Sequence, residues 1–192
     1  MVRAAPMTLE ERRAALVDAT LPLLYQHGRG VTTRLIAEAA GVAEGTIFRA
    51  FGSKDELVDA AIAKAFEPGQ LVARLADIDM SWPLEQRLVK LVSILQQRLL
   101  AVFGLMHSCG MVAPPVDDEE THECWRRQVV ARLVEVIEPD AARLSVPPDR
   151  LLHLLRLLTF SASHREIAEG QLLTPDEIVD VVLYGVAKKD RP

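Results

Sequence analysis

The chain has 192 residues, 49% of them hydrophobic, so it can bury a core of its own and lies between the usual sizes of one domain and two. The longest uninterrupted apolar stretch, residues 99–106, is far shorter than the roughly 18 residues typical of a membrane span, and the N-terminus lacks the apolar core of a signal peptide. With only two cysteines, Cys109 and Cys124, the composition excludes a disulfide framework and predicts a cytoplasmic protein without a membrane partner.

The charge is distributed unevenly along the chain. The formal net charge is −5, yet residues 1–66 carry eight basic and eight acidic side chains, so the excess of acid lies in the remainder. Residues 29–54 carry four basic and two acidic side chains. Because DNA binding requires a basic face and not a basic protein, the overall charge does not exclude a nucleic-acid partner.

A first long helix is predicted to begin at Thr8. Thr8 and Glu11 have the spacing of a capping box, leucines recur at helical intervals, and Gly28 is a typical residue for the C-terminal end. Pro22 lies inside this segment, where it removes a hydrogen bond to the preceding turn. We therefore expect a kink or a local break in this helix.

Two short helices are predicted next. Thr32 is placed to cap a helix that ends at Gly41. In a third helix, expected over residues 43–51, Ile47 and Phe51 stand one turn apart and can face the core together, which leaves the opposite side for a partner. Two short helices joined by a tight glycine-containing turn are typical of a helix-turn-helix, whose second helix enters the major groove of DNA.

A fourth helix completes the N-terminal part. Ser53 and Glu56 have the spacing of a second capping box, and Pro68 followed by Gly69 is a stop signal. The predicted division is a helix-turn-helix domain at residues 1–51, a connecting helix at 52–68, and a second domain at 69–192.

The second domain is also predicted to be helical, because apolar residues recur at helical spacing and no strand pattern or internal repeat is present. Residues 151–158 are apolar around most of the helix circumference, which predicts burial on more than one side, as at a subunit interface. The expected fold class is therefore all-α. The predicted helices of this domain lie at about residues 83–106, 118–138, 148–168 and 174–188.

The helix-turn-helix segment has a specific sequence pattern. The run VTTRLIAEAAGV at residues 31–42, followed by GTIFRAFGSKDEL at residues 45–57, resembles the DNA-binding signature of the TetR family of transcriptional regulators. The resemblance extends over about residues 8–66, and beyond it only the helical layout is similar. It implies a homodimeric, non-enzymatic repressor without a cofactor, which binds near-palindromic double-stranded operator DNA and responds to a small-molecule effector.

The resemblance also implies which residues contact DNA. Four residues near helix N-termini would contact backbone phosphates and position the protein: Thr32, Thr33, Arg34 and Lys54. Four residues of the third helix would approach base edges, sugars or phosphates: Gly45, Thr46, Phe48 and Arg49.

Three positions depart from the family pattern. The family often has Ser where this chain has Ala43, Tyr where it has Phe48, and an aromatic residue or His where it has Ala50. This chain therefore lacks the helix cap and the phenolic hydroxyl of the family pattern. Its sequence does not predict which operator sequence it binds.

An effector site is expected within the second domain, because helical bundles build ligand sites from side chains on facing helices. Aromatic and Met residues at helical spacing are also typical of an ordinary core. The candidate lining residues are Phe103, Met106, Met111, Trp125 and Phe160.

The last two helices are predicted to form the homodimer, with Gly185 allowing a close approach between subunits. The predicted interface comprises Leu151, Leu155, Leu158, Ile178, Val181, Val182 and Gly185.

Alternatives to a DNA-binding regulator remain open. His107 with Cys109, and the similar pair at residues 122 and 124, suggest metal binding or thiol sensing, but residues two apart on a helix do not share a face. Ser163 and His164 suggest an enzyme, but no orienting acid or phosphate loop accompanies them. A dimeric small-molecule-binding adaptor that has lost operator binding would share this helical pattern and lack salt-sensitive DNA affinity.

Overall fold

The computed structural model describes residues 7–67, 69–115 and 119–186, and describes only the backbone of Gly69 and of residues 119–126. These residues are helical with no strand among them, so the predicted all-α fold class is confirmed. In this part of the chain the α-helices are α1 (Leu9–His27), α2 (Thr33–Ala40), α3 (Glu44–Phe51), α4 (Lys54–Phe66), α5 (Gly69–Ala76), α6 (Leu84–Ser108), α7 (Glu119–Ile137), α8 (Pro148–Ser163) and α9 (Pro175–Tyr184). Short 3-10 helices occur at Gly28–Gly30 and Glu138–Arg143.

The helices group into two compact units. The described residues within 1–67 and 102–117 form the first unit, and those within 68–101 and 118–192 form the second. The sequence predicted a contiguous second domain from residue 69, whereas the end of α6 groups with the N-terminal helices. Leu105 and Cys109 explain this grouping, because both are buried in the core of the first unit.

The helix α1 begins with the predicted capping box. The Thr8 amide donates to the Glu11 carboxylate at 2.7 Å, and the Glu11 amide donates to the Thr8 hydroxyl at 3.1 Å. The helix is continuous through Pro22, so the predicted local break is not found. Leu16 and Leu24, on either side of the proline, are both fully buried, and this tertiary packing holds the two halves in one helix.

Gly28 ends α1 where the end of α6 passes close by. Its φ of 54° is unfavourable for residues with a Cβ, and a Cβ built here would lie 2.0 Å from the carbonyl oxygen of Ser108. The Ser108 hydroxyl donates to the carbonyl of Tyr25 at 3.0 Å. Only glycine permits this approach inside the first unit.

The second unit has its own core and one buried cation. Arg87 of α6 is 2% exposed, donates to the carbonyl oxygens of Trp82 and Val136, and forms an ion pair with Asp140. Burial of a guanidinium is costly unless it is paired and hydrogen-bonded, and each of the three guanidinium nitrogens of Arg87 has a partner here. The sequence pattern gave no sign of this site, because Asp140 is far from Arg87 along the chain.

The helix α5 corrects the prediction that Pro68 and Gly69 only stop a helix. It begins at Gly69, and its Leu71 and Leu75 stand four residues apart and pack on the core of the second unit. Eight residues are too few for a stable isolated helix, so this packing supplies its stability.

Among the described residues, α6 is the one helix long and apolar enough to cross a membrane by length and composition. Its Leu88 and Leu91 are fully buried in the core of the second unit, and its Gln96 side chain donates to the carbonyl of Leu173 at 2.6 Å. Such contacts are those of a core helix, which passes the same composition test.

Candidate nucleic-acid interface

A tight turn joins α2 to α3. The Thr32 hydroxyl accepts from the Leu35 amide at 3.3 Å and caps α2, as predicted from its position. Gly41 ends α2 in the left-handed conformation with a φ of 65°, and the Val42 amide donates to the carbonyl of Ala37 at 2.9 Å. These local bonds fix where α3 begins relative to α2.

The helix α3 has a buried side and an exposed side. Ile47, Ala50 and Phe51 are at most 6% exposed and pack in the core of the first unit. The opposite side is open to solvent, with Thr46 half-buried. Its exposed members are Glu44, Gly45, Phe48 and Arg49.

The outward side of α3 offers both an apolar and a cationic group. The Phe48 side chain is 50% exposed, although a phenyl ring gains by burial. The Arg49 Nε donates to the carbonyl of Gly45 at 3.2 Å, which holds the start of the side chain along the helix. A Cβ built on Gly45 meets nothing within 4 Å, so the backbone is bare here. A second macromolecule can therefore approach this backbone closely.

Ala50 lies on the other side of α3. Its burial in the core means that its departure from the family pattern changes the packing of the first unit and not the outward surface. Ala43 is the N-cap of α3 and makes no side-chain cap hydrogen bond, which agrees with the missing cap expected from the sequence.

The hydroxyl of Thr33 has a partner that the sequence did not predict. It donates to the Glu44 carboxylate at 2.7 Å and so joins the first residue of α2 to the first residue of α3. A hydroxyl has one hydrogen to donate, so the Thr33 hydroxyl must leave the Glu44 carboxylate before it can donate to a phosphate. The Thr33 backbone amide is in the first turn of α2, where amides have no partner within the helix.

Lys54 connects α4 to the 3-10 helix that follows α1. Its Nζ donates to the carbonyl of Arg29 at 3.0 Å and lies 3.8 Å from a carboxylate oxygen of Asp55. The guanidinium of Arg29 pairs with Asp59 at 2.8 Å. An ammonium group has three donor hydrogens, so Lys54 keeps capacity for a phosphate contact. That contact stays a prediction, as it does for the exposed Arg34.

The predicted effector-lining residues fall in different units. Phe103, Met106 and Met111 belong to the first unit, where Met111 packs against the core, whereas Phe160 is 45% exposed on α8 of the second unit. The side chain of Trp125 lies outside the described residues. The prediction that all five line one cavity of the second domain is therefore not supported.

Three of the predicted dimer residues are core residues of the protomer itself. Leu151, Leu155 and Ile178 are at most 3% exposed in the core of the second unit, which corrects their assignment to the interface. Leu158 and Val182 are partly buried against the same core. The remaining two are on the surface and are Val181, which is 39% exposed, and Gly185, which ends α9 at a φ of 72°.

The remaining candidates are explained by packing and local hydrogen bonds. Cys109 is buried, and this burial raises the pKa of its thiol while the nearby charge of Arg29 opposes the shift. The Ser163 hydroxyl donates to the carbonyl of Thr159 within α8 at 2.6 Å. Over the described residues no group of His, Cys, Asp or Glu forms a metal site, and the side chains of His122 and Cys124 lie outside them.

The short capped helix α2, the glycine turn and the half-buried helix α3 define a helix-turn-helix domain. Residues 16–61 match the family model of bacterial regulatory proteins of the tetR family. The HTH-type transcriptional repressor KstR of Rhodococcus jostii is 46% identical over 59 residues, which span 30% of this chain and 28% of that protein.

Solved structures are similar over most of the chain. A tetR-family transcriptional regulator from Streptomyces coelicolor has a TM-score of 0.62 at 20% identity and covers 92% of this chain and 79% of its own. The regulator FadR from Bacillus subtilis, in complex with stearoyl-CoA, has a TM-score of 0.59 at 15% identity. The similarity covers 91% of this chain and 99% of the FadR chain. Residues 16–61 are therefore a TetR-family DNA-binding segment, and the chain as a whole has the fold of TetR-family regulators.

Proposed function

We propose that this protein is a cytoplasmic, ligand-responsive transcriptional repressor that binds a near-palindromic operator as a homodimer. The observation that carries the proposal is the outward side of α3, where a bare backbone at Gly45, a half-exposed Phe48 and an exposed Arg49 stand on the second helix of a TetR-family helix-turn-helix. A soluble protein exposes such a phenyl ring at some cost, and a DNA groove supplies it with a partner.

In the proposed complex α3 lies in the major groove. The guanidinium of Arg49 reaches a phosphate or the acceptor edge of guanine, and Phe48 contacts a sugar or the methyl group of thymine. The remaining contacts are to the backbone, where helix N-termini and cations bind phosphate without reading sequence. These contacts are assigned to Thr32, Thr33, Arg34 and Lys54, with Thr46 beside the bases.

The homodimer brings two copies of α3 onto the same side of the DNA. Two recognition helices read successive major grooves when their separation is about 34–36 Å or a multiple of it. The proposal draws support from α8 and α9, whose outward sides carry exposed apolar residues, among them Leu157 and Val181. An apolar surface of this kind is typical of a subunit interface.

The effector acts by favouring a dimer in which the two copies of α3 have a different spacing. Its effect on operator affinity is limited by the difference between its affinities for the two states. The structural neighbour FadR is solved with stearoyl-CoA, so a long-chain acyl-CoA is a rational first compound to test. A drug or another metabolite would act by the same shift.

Salt-dependent binding of duplex DNA tests the proposal. The affinity of the wild-type protein for DNA should fall steeply between about 50 and 200 mM salt, because binding releases counterions from phosphates.

Arg49→Ala should weaken binding to an operator selected from random duplex DNA by roughly 1–3 kcal/mol if the side chain reads a base edge. Arg165→Ala, an exposed position of the second unit, is the matched control and should bind as the wild type does. An absence of salt-sensitive DNA affinity would favour the adaptor that has lost operator binding.

A further inference from the structure

An acidic side chain stands on the outward side of α3 at its N-terminal end. Glu44 is the first residue of α3 and is exposed, and Phe48 follows it one turn later on the same side of the helix. When a recognition helix lies in the major groove, its N-terminal residues contact base edges. In the proposed complex, Glu44 is therefore among the residues that meet the bases.

The charge of this carboxylate is not neutralised within the protein. In the part of the chain that the structure describes, Glu44 forms no ion pair, and its Oε2 accepts from the Thr33 hydroxyl at 2.7 Å. An acid in the first turn stabilises a helix modestly. On a surface that approaches DNA, however, the same negative charge repels phosphates. Tight operator binding therefore requires a favourable contact between this carboxylate and a base, which offsets the repulsion.

The edges of the four bases in the major groove decide which contact is favourable. An ionised carboxylate only accepts hydrogen bonds, and guanine and thymine present acceptor atoms in this groove. Adenine presents an amino group beside its acceptor N7, whereas cytosine presents its N4 amino group and no acceptor of its own. Cytosine is therefore the base that the carboxylate of Glu44 binds best.

The hydrogen bond from Thr33 fixes the carboxylate before DNA binds. A glutamate side chain loses rotamer freedom when it is ordered at an interface, and this loss weakens binding. The Thr33 hydroxyl holds Oε2 of Glu44, so part of this ordering is already present in the free protein. A carboxylate has about four lone-pair sites, so this bond leaves acceptor capacity for a base. Thr33 can still bind a phosphate through its backbone amide, which is in the first turn of α2.

We propose that Glu44 reads a cytosine in each half-site of the operator through the N4 amino group of that base, and that Thr33 is a positioning residue for this contact. The carboxylate discriminates between bases because it accepts from cytosine and repels the acceptor edges of guanine and thymine. Its effect is on specificity more than on affinity, since the same charge repels the phosphates of every sequence. This inference rests on the proposed function and adds a base that the operator must contain.

Selection from random duplex DNA with variants of Glu44 tests the base contact. The wild-type protein should select an inverted repeat with cytosine at one position of each half-site, and another base there should weaken binding about tenfold. Glu44→Gln should select adenine at that position, because an amide side chain binds N6 and N7 of adenine together. Glu44→Ala should lose the preference for cytosine and bind DNA that lacks it more tightly than the wild type does, since the repulsion is removed. Glu38→Gln, which removes the same charge at an exposed position of α2, is the matched control and should leave the selected sequence unchanged.

Variants of Thr33 test its positioning role. Thr33→Val removes the hydroxyl and keeps the backbone amide, so it should reduce the preference for cytosine at that one position about threefold or more. Thr33→Ser keeps a hydroxyl and should restore the wild-type preference. In the Glu44→Ala background, Thr33→Val should have no further effect on this preference, because a positioning residue acts only through the carboxylate. Fluorescence anisotropy with operators that differ at this one base pair measures each preference.

The outcomes separate this inference from the proposed function. If the wild type and Glu44→Gln select the same inverted repeat, or if the wild type selects a repeat that requires no cytosine, the base contact is wrong and the proposed function stands. If Thr33→Val weakens binding to all four operators equally, the positioning role is wrong. If the wild-type protein selects no sequence and its DNA binding does not depend on salt, the proposed function and this inference are both overturned.

Discussion

At the scale of single residues, two glycines have different roles: Gly28 is expected to affect stability and Gly45 to affect DNA binding. Gly45 and Gly28 were both identified from sequence, one for approach to DNA and one as a helix end. In the structure the space around them differs completely. A Cβ at Gly45 meets open solvent, whereas a Cβ at Gly28 meets the backbone of α6. Substitutions at the two positions should therefore affect different properties.

Gly45→Ala should stabilise the free protein and weaken its binding to operator DNA. Alanine loses less conformational entropy than glycine in a helix, so we expect a gain of roughly 0.5–1 kcal/mol in the free energy of unfolding. The added methyl group would hold the backbone away from DNA and weaken operator binding at least about tenfold. Gly104→Ala is the matched helical control, since its Cβ would make only ordinary contact with Tyr25 at 3.9 Å. Urea unfolding and fluorescence anisotropy measure the two effects, and unchanged operator affinity for Gly45→Ala would contradict the assigned role.

Gly28→Ala should destabilise the protein by roughly 2 kcal/mol or more, because it combines a positive φ with overlap of a backbone oxygen that cannot move aside easily. Gly30→Ala has nothing within 4 Å of its Cβ and serves as the control. Chemical unfolding compares the two variants. Equal stabilities would show that the end of α6 does not pack on Gly28 as described.

At the scale of elements, the sequence predicted the N-terminal helices well because their ends are set locally. Thr8, Thr32 and Gly41 act through bonds to residues at most five positions away, and such bonds are visible in the order of residues. The buried ion pair of Arg87 depends on a residue far along the chain, and the stability of α5 depends on packing against other helices. These features require the folded structure.

The same distinction explains the error at the predicted dimer interface. Helical periodicity indicates which residues share a side of α8 but not whether that side faces the protomer's own core or a partner. Leu151 and Leu155 share the inner side, and Leu154 and Leu157 share the outer one. Both sides are leucine-rich, so the sequence pattern does not distinguish them.

The N-cap of α3 supplies a prediction for an element. Ala43 has the extended backbone of an N-cap, with φ −75° and ψ 144°, but makes no side-chain cap bond. Ala43→Ser should place a hydroxyl acceptor near the free amides of the first turn and raise the free energy of unfolding by about 1 kcal/mol. Thr32→Ala, which removes an existing cap, should lower it by a similar amount. Thermal unfolding gives both values, and no gain for Ala43→Ser would mean that the hydroxyl does not reach these amides.

At the scale of the whole molecule, the two units have different functions in the proposed regulator. The first unit presents α3 to DNA, and the second unit joins two copies through α8 and α9. A helix-turn-helix dimer reads two half-sites, so its operator specificity depends on two copies held at a fixed spacing. Operator binding and dimerisation should therefore weaken together when the outward surface of α8 is disrupted.

Selection of bound sequences from random duplex DNA, repeated across salt concentrations, tests the central claim most directly. A dimeric helix-turn-helix regulator should enrich an inverted repeat whose half-sites are centred one helical turn or a multiple of it apart, with affinity that falls as salt increases. Enrichment of no sequence, together with no salt-dependent binding, would contradict the account.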